Sequence, residues 1–409
     1  MVHQSRPLVL DPSGRDVHGE VARIREHGPA ARVELPGGVV AWAISSQHLL
    51  KKLLTDPRVS KDPNQHWPTW INGEIPADWP LISWVGVRNM FTAYGTDHRR
   101  LRTLVSKAFT ARRTAALRPR VERICAELLD RLAATPPGET ADLRDGYAYP
   151  LPLQVICELF GLEDEALRQR MSRFADSAFH TSAGSEEVTA TFEEMFAIMD
   201  ELVASKRERP GDDLTSGLIA VRDENDSALS ERELCDTLAL MLTAGHETTV
   251  NLLGNAIHAL LTRPGQLELV TTGRAPWDDV IEETLRHSAP VAHVPLRYAV
   301  EDIALENGVV LRQGDAILAG YAAAGRDPEV HGKGADVFDV TREPKSHLSF
   351  GHGVHLCVGA PLARLEAAIA LPALFDRFPG LSLAVGPDEL TPVDSFISNG
   401  YRSLPVRLS

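Results

Sequence analysis

The sequence predicts a mainly α protein with a minor β region, folded as a single domain. Apolar residues recur at helical spacing through most of the 409 residues, while apolar–polar alternation is confined to a stretch near the start and another from Leu296. No repeat, low-complexity tract or clear linker divides the chain. Its length exceeds what one small core needs, so two packed layers or two lobes are expected. At 44% hydrophobic and 24% charged residues it has an ordinary globular composition.

From the N-terminus, Arg32–Ser45 (RVELPGGVVAWAIS) alternates around Pro36-Gly37-Gly38 and reads as a β-hairpin. Trp67 to Trp84, rich in Trp and Pro, reads as a long loop of the kind that often binds ligands. Helical patterns follow at His98–Phe109, Thr114–Ala133, Pro152–Phe160, Glu163–Phe179 and Glu187–Arg207. Ser230 and Glu233 form an S-x-x-E capping box, and the pattern behind it runs unbroken to Arg263-Pro264. At about 1.5 Å per residue such a helix spans roughly 50 Å. Beyond it the sequence predicts a helix over Asp278–His287, short strands from Leu296 to Ala319, and a last long helix over Ala360–Phe378. Irregular β-structure completes the chain.

Net charge is −14, from 42 basic and 56 acidic residues, which excludes a global nucleic-acid footprint but leaves room for a local basic patch. The opening MVHQSRPLVLDPSG has no basic stretch followed by an apolar one, and no run approaches the roughly 18 apolar residues of a membrane span. A cytoplasmic, monomeric protein is the expectation.

The four cysteines, Cys125, Cys157, Cys235 and Cys357, form no CxxC pair, so zinc clusters and a disulfide framework fit poorly. Three lie in apolar helical patterns, as inert buried thiols do. Cys357 alone sits in a glycine-rich segment, Phe350-Gly351-His352-Gly353-Val354-His355-Leu356-Cys357-Val358-Gly359, just before a helix. Its position near backbone N–H donors and the positive end of that helix favours thiolate, which suits a metal. A buried structural cysteine in a glycine turn is the plainer alternative.

On the long helix, Leu234, Leu238, Met241, Leu242 and Gly245 share one stripe, and Thr248 continues it. Gly245 leaves room for something large to approach. A hydroxyl at 248 either bonds back to the i−4 carbonyl, with Glu247 solvated, or serves a ligand. Glu283 and Arg286 share a helix face three residues apart. That spacing alone is weak, since Glu20/Arg23 and Glu165/Arg168 repeat it as expected surface pairs.

The pattern F-x-x-G-x-x-x-C-x-G around Cys357 resembles the haem-binding loop of the cytochrome P-450 superfamily at every defining position. Ala244-Gly245-His246-Glu247-Thr248-Thr249 resembles that family's oxygen-activation motif, and the likeness extends from the hairpin to the C-terminal β-structure. The resemblance implies the triangular, mainly α fold of soluble bacterial members, with Cys357 as axial ligand to haem b and Phe350, Gly351, Ala244 and Gly245 against it. It implies a helix distorted beside the haem, Thr248 hydrogen-bonding dioxygen and Glu247 in a proton relay. Glu283 and Arg286 would join Arg342, in Phe338-Asp339-Val340-Thr341-Arg342, as a buried ion-pair scaffold. His98, Arg102, Arg297 and His355 match positions for propionate contacts. One departure is Gly325 in Ala324-Gly325-Arg326-Asp327-Pro328, where the family often has Asn.

The activity implied is monooxygenation of a bulky hydrophobic molecule with O2, using electrons from NAD(P)H through a ferredoxin reductase and a ferredoxin. Arg99, Arg100, Lys107, Arg112, Arg113 and Arg364 are the candidate docking cations. Leu10–Trp42 and Asn89–Phe109 look particularly like actinomycete steroid or macrolide hydroxylases, which puts steroids first and macrolides second. A peroxide-driven haem enzyme and a haem-binding sensor are the rivals, and intact Glu247-Thr248 argues against both. Trp84, Met90, Phe91, Phe174, Phe179, Met241, Ala244, Val291, Ala292, Val294, Phe396 and Ile397 are expected to line a largely apolar pocket, or simply to fill the core.

Overall fold

The structure, a computed structural model, describes residues 6–162, 164–177, 185–222 and 226–408. The long helix spans Glu231–Leu261 and begins as its sequence dictates. Ser230 Oγ accepts from the Glu233 N–H at 3.3 Å, and the Glu233 carboxylate accepts from the Ser230 N–H at 2.9 Å. Helices Pro150–Phe160, Trp277–His287 and Ala360–Arg377 pack against it, and the largest apolar core lies between them.

A six-stranded sheet forms the other layer, in the order Leu8–Val9, Ala30–Glu34, Val40–Ile44, Ala316–Gly320, His293–Ala299, Val59–Ser60. Its hairpin pairs Ala30 with Ile44 and Glu34 with Val40. Gly37, at φ +79°, turns the chain, and a Cβ there would stand 2.7 Å from Trp79 Cδ1, so only glycine lets the turn lie against that indole. Trp67 stacks on Tyr298 with ring centroids 5.2 Å apart and meets Trp79 at 5.7 Å, pinning the aromatic segment to the sheet.

Several expectations need correcting. The predicted Thr114–Ala133 helix is two, Ala111–Ala116 and Arg118–Ala133, because Pro119 falls in a first turn where its missing N–H costs nothing. The Trp67–Trp84 loop contains helical turns at Pro68–Ile71 and Ile82–Val85. Glu20 reaches Arg23 at 3.8 Å as expected, but it is buried rather than at the surface and also accepts from the Asp11 N–H at 2.8 Å. Glu163 and Phe179, the predicted ends of one helix, lie outside the described residues; the helix between them covers Glu165–Ser177. Among the described residues no helix is long and apolar enough to cross a membrane.

Candidate active site

The cysteine loop leaves Phe350 and doubles back, the Cys357 N–H donating to the Phe350 carbonyl at 2.8 Å. Gly353, at φ +72°, allows this, since a Cβ would stand 2.8 Å from the Leu54 carbonyl oxygen. Cys357 is exposed toward a cavity that Phe350, Gly351 and His355 also line. Burial in the surrounding protein pushes its thiol pKa up, against the Gly359 N–H, Arg102, the Ala360 N–H and Arg364, which pull it down. The N–H groups at the helix start act in the direction expected from the sequence, against the opposing effect of burial. Cys125, Cys157 and Cys235 are buried, with thiols pushed up by burial to about 12, 11 and 12, respectively.

Opposite the cysteine, Met241, Ala244, Gly245 and Thr248 bring the stripe of the long helix to the cavity wall. The helix stays α across this stretch rather than breaking, and Thr248 Oγ1 donates to the Ala244 carbonyl at 2.6 Å. Gly245 makes room for a protein neighbour as well: a Cβ would stand 3.1 Å from Ile156 Cδ1. Glu247 is buried, not solvated. Its carboxylate accepts from Arg144 Nη2 at 3.2 and 3.3 Å and from Asn251 Nδ2 at 3.2 Å. Arg144 sits on a π-helical turn, Arg144–Ala148, that the sequence reading did not detect.

At one end of the cavity the basic residues converge. His98 and His355 stand with ring centroids 4.1 Å apart, and Arg102 and Arg297 line the wall beside them. Burial holds His98 near a pKa of about 4 and drives His355 lower still, so both imidazoles are neutral near pH 7. His98 Nε2 and Arg297 Nε are buried with no hydrogen-bond partner. Such orphans call for an acceptor. Lys61, absent from the sequence reading, lines the same cavity.

The scaffold assembles as the resemblance implied. Glu283 and Arg286 are fully buried and joined by two 2.7 Å hydrogen bonds. Arg286 also donates to the carbonyls of Gly325, Ala335 and Val337 at 2.7, 2.8 and 2.9 Å. Arg342 Nε reaches Glu283 at 3.4 Å. Gly325, the departure noted in sequence, closes a helical turn, and a Cβ there would fall 2.0 Å from the Arg286 carbonyl oxygen.

Of the predicted pocket residues, Trp84, Met90, Phe91, Met241, Ala244, Val291 and Val294 line the cavity. Ala292, Phe396 and Ile397 do not. Ala292 packs with Val17, Val21, Ala322 and Ala323, while Phe396 and Ile397 fill the sheet-side core. The cause is the Ala292 N–H, which donates to the Ile397 carbonyl at 2.7 Å and ties the two segments together behind the wall. Phe174 lies on the Glu165–Ser177 helix, and Phe179 is outside the described residues.

A lone cavity-facing thiol, an apolar wall and a basic end define a site for a large flat group bearing carboxylates. Comparison with known proteins agrees. Residues 277–390 match the family model for Cytochrome P450. The 2-hydroxy-5-methyl-1-naphthoate 7-hydroxylase of Streptomyces carzinostaticus is 48% identical over 402 residues, 98% of this chain and 97% of that one. The 6-deoxyerythronolide B hydroxylase of Saccharopolyspora erythraea is 40% identical, covering 96% of each chain. The structure of testosterone-bound CYP154C4 from a Streptomyces species superposes with a TM-score of 0.94 at 46% identity, covering 99% of this chain and 98% of that one. The chain belongs to the cytochrome P450 family. It is accordingly a monooxygenase, and its cofactor is haem b.

The residues present fit that cofactor. Cys357 would hold the iron, Arg102 and Arg297 would neutralise the propionates, and His98 Nε2 and His355 would complete their hydrogen bonding. Bound haem supplies the oxidising chemistry; the protein supplies position, dryness and protons.

Proposed function

We propose that this enzyme hydroxylates a C–H bond of a rigid fused-ring hydrophobic molecule, with electrons passed from NAD(P)H through a ferredoxin reductase and a ferredoxin. The carrying observation is the cavity wall. Trp84 and Phe91 meet edge to face at 6.1 Å, and Met90, Met241, Ala244, Val291 and Val294 complete an apolar surface ending at Thr248 and Cys357. Flat aromatic and thioether surfaces of this kind select by shape. The two most similar relatives just described act on a naphthoate and bind testosterone, and both ligands are fused rings. Steroids, first in the sequence reading, are thus one member of a wider class. Macrolides are the second reading, favoured by the 6-deoxyerythronolide B hydroxylase.

In this proposal Phe91 and Trp84 orient the rings, and the small side chain of Ala244 leaves space for the reacting carbon near Thr248. The Thr248 hydroxyl, which donates to the Ala244 carbonyl, would turn toward the cavity and hand its proton into the site. Glu247, a carboxylate braced by Arg144, would take up a proton from solvent and pass it on to the Thr248 hydroxyl. Soret-shift titrations with testosterone, a naphthoic ester and 6-deoxyerythronolide B test the class. Blue shifts with the fused-ring ligands and product under a surrogate redox chain are expected. A shift and product with the macrolactone alone would replace this reading by the second.

A further inference from the structure

We propose that Lys61 anchors a carboxylate on the substrate, so that the fused-ring molecule taken by this site is an acid. The inference rests on the hydroxylase reading above and adds the charge of its substrate.

Lys61 follows the strand Val59–Ser60, whose antiparallel register with His293–Ala299 carries it opposite Arg297. The residue is 3% exposed, it lines the cavity, and its Nζ stands 3.4 Å from the centroid of the Phe91 ring. Among the described residues no oxygen accepts from that amine. The adjacent Asp62 carboxylate is occupied by the Asn64 N–H at 2.8 Å and by Gln65 Nε2 at 2.7 Å. Glu366, the acid in the cavity wall, has its pKa pushed up by burial to about 8 and is neutral near pH 7. A buried ammonium whose partner is one ring face is costly, and burial together with repulsion from Arg297 drives the Lys61 pKa well down.

A charge count assigns the missing partner. Haem b brings two carboxylates. Arg102 and Arg297 bring two guanidiniums to the same end of the cavity, where Arg297 Nε and His98 Nε2 are buried without a hydrogen-bond partner. Lys61 is a third base facing the cavity and is left over when the propionates are matched. It lies against Phe91, where the substrate rings are oriented, so a ligand carboxylate there keeps its rings on the aromatic wall. On binding, that carboxylate accepts from a protonated Lys61, a charge-assisted hydrogen bond in a dry site.

The test uses the haem-loaded enzyme, with 2-naphthoic acid and methyl 2-naphthoate as probes and Soret-shift titration as readout. The wild type is expected to bind the acid at least about tenfold more tightly than the ester, as a charged buried hydrogen bond allows. Lys61→Met, similar in length and unbranched, should abolish that preference while keeping ester affinity. No acid preference in the wild type, or one that survives in Lys61→Met, overturns the proposal. A Lys61→Met protein that folds but takes up no haem gives the amine to a propionate instead, and also overturns it. Ester binding without acid preference defeats Lys61 alone; failure of acid, ester and testosterone to shift the band defeats the fused-ring reading and this inference with it.

Discussion

Cys357 and Thr248 face one another across the cavity by different routes, one from a glycine-rich loop and one from a regular helix. Cys357→Ala should abolish the strongly red-shifted Soret band of the reduced carbon-monoxide complex, because thiolate donation produces it; a retained band would remove Cys357 as ligand. Thr248→Ala should load haem and bind substrate normally yet release more peroxide per NAD(P)H, whereas Thr248→Ser, which keeps a hydroxyl able to leave the Ala244 carbonyl, should stay coupled. Equal coupling in both variants would take the hydroxyl out of proton delivery. Both residues were legible in sequence because each sits in a local motif. Lys61 was not, because the polar run Ser60-Lys61-Asp62-Pro63-Asn64 reads as surface, and only strand pairing with the distant segment around Arg297 buries it. Arg144 was hidden likewise, since its partner Glu247 comes from another element.

The ion-pair helix Trp277–His287 shows how an element can be rigid at net electrostatic cost. Arg286 spends all its donors on one carboxylate and three backbone carbonyls, so neither partner can be lost without stranding a buried charge. Glu283→Ala and Arg286→Ala should each destabilise the fold by about 3–5 kcal/mol and give little haem-loaded protein; normal yields in both would refute this. The capping box, the hairpin and the last long helix were readable because their determinants lie within a few residues of each other. The break at Leu117 and the position of Ala292 behind the cavity wall were not, the latter because a hydrogen bond to Ile397 decides it.

Over the whole molecule the basic residues once grouped as a docking face separate into two kinds. Arg100 pairs with Glu233, Arg113 reaches Asp212 at 3.3 Å, and Arg364 holds Glu282 at 2.6 Å. Arg99 and Arg112 are exposed and make no ion pair among the described residues. Reversing the charge at Arg112 should therefore slow reduction by an acidic ferredoxin more than reversal at Arg113, and less so at high salt. Stopped-flow rates indifferent to both would contradict it. Acid sensitivity is a second global property. Burial depresses His246, His287 and His293 to about 4, 2 and 4, respectively, against about 6.5 in an unfolded chain. Between those values the unfolded chain binds protons that the native state refuses, so stability rises with pH. The contribution is complete above about pH 6.5 and is lost toward pH 4 for His246 and His293 and toward pH 2 for His287, at up to about 1.4 kcal/mol per pH unit for each. Urea midpoints at pH 7 and 5 measure it; His293→Phe should flatten the slope, and an unchanged slope would place the sensitivity elsewhere.

Four of the six tryptophans, Trp67, Trp70, Trp79 and Trp84, lie in the aromatic segment pinned between the sheet and the cavity. Indole emission overlaps porphyrin absorption, so these rings would pass their excitation to a haem held by Cys357. Indole emission is therefore expected to be weaker when the site is loaded than when it is not. The enzyme thus carries a built-in optical gauge of its own occupancy, readable in dilute solution without any dye or substrate.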